Sequence, residues 1–462
     1  MRKIALLFVL ISFLFLLCAC GADPAGPAGQ ERTLWIVTEE SSMEDGMTWQ
    51  AEQIVKEFKS ANPDVTVTLE ILPDEKERSQ ERSVRLEKIR ADILAGNGPD
   101  VYLLPNETFM DEPMFRDVQQ AMYNGVFADI SSYYDADVAL GKEDLITEVM
   151  DGGVVDGARY VLPLRYTYPV LYADQQALDS AGLDLEASAA DFNTLWDALL
   201  AAGDPKWHCL PGALASTGYA PYLPRMIDYA TGEILITEAQ IADFLRVCQA
   251  VSDDNTPYIG MSSYIYNGEF LTQQQPVMLS MVDNAVPLSA IAKTENKELA
   301  AIPVRAASGE LVACVTYYAA VGNGCSAPEL AYEFVREFLT EDVQFEHQKL
   351  ERSKYSSSKM ATGLPVRSDG KAADLWAMEK KLFKDFGTEK EENRRRDAVM
   401  GVSLTQADVP VLDVPIDRVY FTTVFDQQVM AAAVGRVLFE QADIDATARE
   451  LIFQLELHAG EG

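Results

Sequence analysis

The side chains able to do covalent chemistry are few and scattered. The 462-residue chain has three histidines, His208, His347 and His458, and no two stand at a metal-ligand spacing. His458 falls in what reads as a frayed tail. There is no His-Glu-x-x-His, no Gly-x-Ser-x-Gly and no phosphate-cradling glycine loop. Carboxylates are abundant, so a glycosidase-type pair is compatible with the composition, but nothing selects one pair over another. Cys209, Cys248, Cys314 and Cys325 are widely spaced and fit no zinc pattern; they read as buried thiols, with one or two disulfides left open. What remains is non-covalent chemistry. Arg165-Tyr-Thr-Tyr168 sets a guanidinium, two phenols and a hydroxyl in a row between Pro163 and Pro169. If that run is extended, Tyr166 and Tyr168 point the same way and could floor one ligand site together. Proline sits badly inside a central strand, so the stretch from Gly157 to Asp174 reads as a segment crossing between two packed bodies. The plainer reading is one interrupted core strand.

The elements needed to position such a crossing are visible. Thr33–Val37 reads as a first buried strand. Ala51, Ile54, Val55 and Phe58 make one helix face, stopped by Asn62-Pro63. Val65, Val67, Leu69 and Ile71 alternate as a second strand, Arg78 to Leu94 is helical, and Asp100–Leu104 is a third strand. That alternation implies a parallel sheet with helices on its faces, and ligands bind beyond the carboxyl ends of such strands. The loops after Val37 and Leu104 hold Glu39, Glu40, Asn106 and Glu107. A similar organisation returns later. Asp191 to Leu200 reads as a helix, and Val277–Val282 as a strand ending in Asp283-Asn284. Leu311 to Val321 follows as a strand, with Ser326-Ala-Pro-Glu329 as a capping box. Asp426–Phe439 and Asp443–Leu457 are further helices. The charge run Glu389–Arg396 reads as a solvated helix face.

The N-terminus reads as a targeting segment. Arg2 and Lys3 precede the apolar run Ile4–Leu17, too short to span a bilayer comfortably, and Leu17-Cys-Ala-Cys-Gly21 is similar to a bacterial lipobox with Cys20 as the lipidated residue. Gly21 to Gln30 has no apolar periodicity and reads as a tether. The net charge of −34 argues against nucleic acid as a partner.

Taken in order, these marks resemble one family. Trp35-Ile-Val37 leads to a helix ending Phe58-Lys-Ser-Ala-Asn-Pro63, then Gly98-Pro-Asp-Val101 and Gly125-Val-Phe-Ala-Asp-Ile130. Tyr160-Val-Leu-Pro163 with Leu171-Tyr172, Phe270 to Ser280, Pro328–Phe334 and Leu364-Pro-Val366 complete the series. The pattern over about residues 33 to 457 resembles the family 1 extracellular solute-binding proteins of bacterial ABC transporters, whose members include maltose-binding proteins. The resemblance implies a two-lobed α/β fold, each lobe a mostly parallel sheet flanked by helices, with a ligand cleft between. The implied division is 1–19 leader, 20–31 tether, 32–163 with 285–355 as one lobe, and 164–284 with 356–462 as the other. It implies a sugar or oligosaccharide as ligand, permease subunits as partners, no cofactor, a monomer, and an extracytoplasmic place at the membrane through the lipid. Glu39, Glu40, Asn106, Glu107, Arg165, Tyr166 and Tyr168 map to the first lobe and the cleft floor. Tyr219, Tyr222, Asp283, Asn284 and Tyr420 map to the second side. Many members carry tryptophan where Asp283-Asn284 stands. A peptide- or polyol-binding protein of the same fold, and a secreted carbohydrate-active enzyme, are the alternatives.

Overall fold

A computed structural model describes residues 32–39, 46–106, 112–203, 207, 218–251, 276–345, 363–370, 372–383 and 397–460. The N-terminal half forms as its periodicity dictates. β1 (Arg32–Glu39), α1 (Gly46–Ala61), β2 (Val65–Leu72), α2 (Glu75–Leu94) and β3 (Val101–Pro105) follow in order, with β1 parallel to both β2 and β3. Val65 and Val67 of β2 are buried while Thr66 and Thr68 face out, so the alternation seen in the sequence is the real inside–outside pattern. On α1, Ala51, Ile54, Val55 and Phe58 pack inward, and the Phe58 ring meets Phe334 edge-on at 5.5 Å.

The crossing stretch departs from its expected form. β4 (Val161–Thr167) is a fully buried strand that runs straight through Pro163, and β5 (Pro169–Asp174) begins after Tyr168 in a different sheet. Pro163 is tolerated because its neighbour β8 (Val312–Val321) shifts register between Val315 and Tyr317 and again between Tyr317 and Tyr318. The polar middle is therefore strand, and the change of sheet falls at Tyr168. β4 and β3 both pair with β8 antiparallel, and β9 (Leu364–Pro365) covers the other edge of β4. The large sheet then reads β9-β4-β8-β3-β1-β2, with β10 (Arg418–Tyr420) parallel to the start of β8.

The second sheet is small: β6 (Val277–Met281) and β7 (Leu299–Pro303) each run antiparallel to β5 between them. α4 (Phe192–Ala201), α5 (Glu238–Val251), α9 (Ala431–Glu440) and α10 (Ile444–Gly460) pack on it. Asp191 caps α4 by accepting from Thr194 N at 3.0 Å. α7 (Pro328–Arg336) starts with Pro328 after Ala327, with no side-chain cap, so the expected Ser326–Glu329 box does not form; the proline supplies the preset φ instead. The chain passes between the sheets at Tyr168, between β7 and β8, and again after β10. One apolar core is continuous across the junction, from the large sheet through Tyr166, Tyr168 and Tyr172 to Val286 and Leu288.

Among the described cysteines, Cys248 and Cys314 are buried, Cys325 is half-buried, and all three are free. Burial pushes the Cys325 thiol up to about 12. The run 389–396 and Cys20 lie outside the described residues.

Candidate functional site between the two sheets

Where the chain crosses, polar groups surface in a strip over otherwise apolar strands. The double register shift leaves Thr316 half-buried in a strand whose other residues are all buried. The backbone N–H of Asn106, just past β3, donates to Thr316 O at 2.7 Å. Its side chain pairs with Thr422 in both directions, Nδ2 donating to Thr422 O at 3.1 Å and Oδ1 accepting from Thr422 N at 2.7 Å. On the other side of Thr316 lies Gly363, at φ +98°, where a Cβ would come 2.7 Å from Thr316 Oγ1 and 2.8 Å from Tyr166 O. Only glycine fits both the backbone and the space. The strip continues to Asp283, whose Oδ1 accepts from Thr167 Oγ1 at 2.9 Å, and to Asn284, whose Nδ2 donates to Ser280 Oγ at 3.0 Å. Burial pushes the Asp283 carboxyl up, opposed by bonds from the Thr167 hydroxyl and the Gly363 backbone. Asn106, Thr316, Asp283 and Asn284 are only partly buried, and they come from strands of both sheets or the residues just after them.

The remaining sequence-derived residues occupy other places. Glu39 is buried and engaged: Oε2 meets Arg82 at 2.6 Å and Oε1 accepts from Met114 N at 3.3 Å. Burial raises its pKa, with Arg82 opposing the rise. Arg165 points into the core and donates to Gln344 O at 2.9 Å. Tyr166 and Tyr168 do share a side, as spacing suggested, and stack at 6.4 Å, but both are buried. The Tyr168 hydroxyl donates to Val411 O, while Tyr166 borders a separate cavity of about 220 Å³ beside Asp413 and Arg367. Tyr219 and Tyr222 are buried too, Tyr222 at 5.4 Å from Phe192 and Tyr219 edge-on to Phe244 at 6.1 Å. Tyr420 is buried against Thr423 and borders a larger cavity of about 410 Å³. Glu40 and Glu107 lie outside the described residues.

Two residues at this junction had no sequence signal. Asp426 is the second residue of a π-helical turn, Phe425–Met430, and is completely buried. Its Oδ1 accepts from Tyr219 N at 2.9 Å and Ala220 N at 3.1 Å, tying the late helix to the start of the 218–222 segment. Its Oδ2 has no partner among the described residues, and burial pushes the carboxyl up to about 7. Gly218 lies against it at φ +72°, where a Cβ would stand 2.1 Å from Oδ2. His458 is also corrected: it lies within α10, with Nε2 at 3.1 Å from Asp117 Oδ2, and is not in a frayed tail. No cluster of metal-ligating side chains occurs among the described residues. No described helix is long and apolar enough to cross a membrane.

Comparison with known proteins places this geometry. Residues 41–206 match the family of bacterial extracellular solute-binding proteins. A protein of Brucella abortus described as a binding protein is 25% identical over 152 residues, 31% of this chain and 32% of the relative, so the match spans about a third of that relative's length. The sugar-binding protein MalE of Xanthomonas citri superposes at a TM-score of 0.55 with 15% identity, over 93% of this chain and 98% of its own. The cyclic α-maltosyl-1,6-maltose binding protein of Arthrobacter globiformis superposes at 0.53 with 17% identity, over 94% and 100%. Residues 41–206 thus match the model of the family that the sequence resembles, and the chain shares its two-lobed α/β fold with solved solute-binding proteins.

Proposed function

We propose that the chain captures a small carbohydrate between its two lobes outside the cytoplasm and hands it to an ABC transporter permease, as a monomer without a cofactor. The observation that carries this is the polar strip Asn106–Thr316–Gly363–Asp283–Asn284, laid across the strands that join the sheets. Carboxylates and side-chain amides suit a solute with many hydroxyls, since each hydroxyl both donates and accepts. The carbohydrates named for the MalE and maltosyl-maltose relatives support the same class. Asn106, Asp283 and Asn284 would contact solute, with Thr316 added to the sequence-derived set. The sheets suggest lobe boundaries at Tyr168 and beyond Pro303, later than the 163/164 and 284/285 divisions implied by the resemblance. Attachment through a lipid on Cys20 belongs to the same reading. A thermal-shift screen across mono- and oligosaccharides tests it. A binding sugar at a hundred times its dissociation constant adds about 2.7 kcal/mol to the native state. The reading is sunk if no sugar raises the melting temperature while a peptide or polyol does, or if a glycan is turned over.

A further inference from the structure

The last crossing segment borders two cavities. Thr422 and Val424 line a small one beneath Asn106, whereas Arg418, Val419, Tyr420, Thr423 and Phe425 line the cavity of about 410 Å³. Tyr229 and His458, from the second body, also line this larger cavity. Both reach Asp117 of the first body, whose side chain is fully buried. Asp117 Oδ1 accepts from Gln120 N at 3.0 Å, capping α3 (Val118–Tyr123), while Oδ2 accepts from the Tyr229 hydroxyl at 2.6 Å and lies 3.1 Å from His458 Nε2. Tyr123, at the end of the same helix, stacks on the Tyr229 ring at 6.4 Å. Residues 117, 229 and 458 are thus drawn from one helix start, one loop and the C-terminal helix onto a single carboxylate.

We infer that the Asp117–Tyr229–His458 contact is a clasp that fixes the separation of the two bodies in the solute-free protein. The inference rests on the reading that solute is held between the bodies. A buried carboxylate loses two of its three donors if the bodies part on this face, which is unfavourable until water replaces them. Any movement of the bodies on solute binding that parts this contact must therefore offset the loss of these bonds.

The test needs no solute, so its failure is separable from failure of the carbohydrate reading. Tyr229→Phe keeps the ring and its stack on Tyr123 but removes the donor; His458→Gln is combined with it. Tyr123→Leu serves as the variant that removes the stack and keeps the clasp. Small-angle scattering and amide hydrogen exchange are measured on solute-free protein. The Tyr229→Phe, His458→Gln variant is expected to show a broadened interatomic distance distribution and several-fold faster exchange across residues 417–424, with Tyr123→Leu like the parent. Superimposable scattering and unchanged exchange in Tyr229→Phe, alone and with His458→Gln, overturn the clasp. So does an equal broadening in Tyr123→Leu, which would assign the effect to ring packing.

Discussion

Replacing Asp426 by asparagine should change how stability depends on pH, in a direction fixed by the buried carboxyl. Its ordinary value is 3.8 and burial raises it to about 7. At about 1.4 kcal/mol per tenfold change, that gap is worth about 4 kcal/mol of preference for the protonated form in the folded chain. The sign follows from where each state releases its proton. Below pH 4 both states hold it, and the contribution is fully present. As pH rises from 4 toward 7 the unfolded chain ionises while the folded one does not, so stability falls, and the loss is complete just above 7. Asparagine does not titrate, so it lacks this slope. It keeps an oxygen for the Tyr219 and Ala220 amides, but its amide would stand where Oδ2 has no partner, at a cost of roughly 1–3 kcal/mol. Urea unfolding of both proteins at pH 5, 6, 7 and 8 isolates the effect, because all other titrating groups cancel in the difference. Between pH 5 and pH 8 the variant should gain on the parent by roughly 2–3 kcal/mol. A difference that stays flat with pH, or that moves the other way, refutes the reasoning.

Three further outcomes follow from burial and pairing. Glu39→Gln removes the charge opposite a fully buried Arg82 and should cost roughly 3–5 kcal/mol in denaturant unfolding; a cost under 1 kcal/mol would mean the pair is solvated. The Tyr166→Ala, Tyr168→Ala double variant should lower the melting temperature sharply, since truncating a core aromatic costs roughly 3–5 kcal/mol; an unchanged melting temperature with lost sugar binding would return both rings to the ligand floor. Mass spectrometry of the mature protein should find an N-terminus at Cys20 carrying lipid, and an unlipidated N-terminus elsewhere would remove the anchor from the proposal.

The strand–helix alternation from Arg32 to Pro105 was legible because each element buries one face at its own period, two or 3.6. The crossing was legible in place and misread in detail. Pro163 looked like a strand breaker, and only the register shifts of β8, about 150 residues later in the chain, make room for it. Those same shifts expose Thr316, so nothing local to Thr316 announces it. The tyrosines of 166, 168, 219 and 222 carry the chemistry of a sugar site, but burial is a property of the partner helices, and composition cannot tell a core ring from a cleft ring. Asp426 and Gly218 are paired across 208 positions, a distance no spacing rule spans. His458 read as tail because its partner, Asp117, sits 341 positions earlier.

The interleaving of the large sheet bears on how the chain can be made. Its central strand, β8, is residues 312–321, and β10 on the same edge is residues 418–420. When synthesis has reached β3, that strand's free edge has no partner in the chain already made, and the pairing Val101↔Val321 must wait for more than 200 further residues. Long-range pairing of this kind is slow, because the loop must close before any contact rewards it. An emerging chain therefore keeps the far edge of β3 unpaired until most of it is available. It also presents the β3 edge to any neighbouring chain during that interval. The abundance of like negative charge would keep such half-made chains apart.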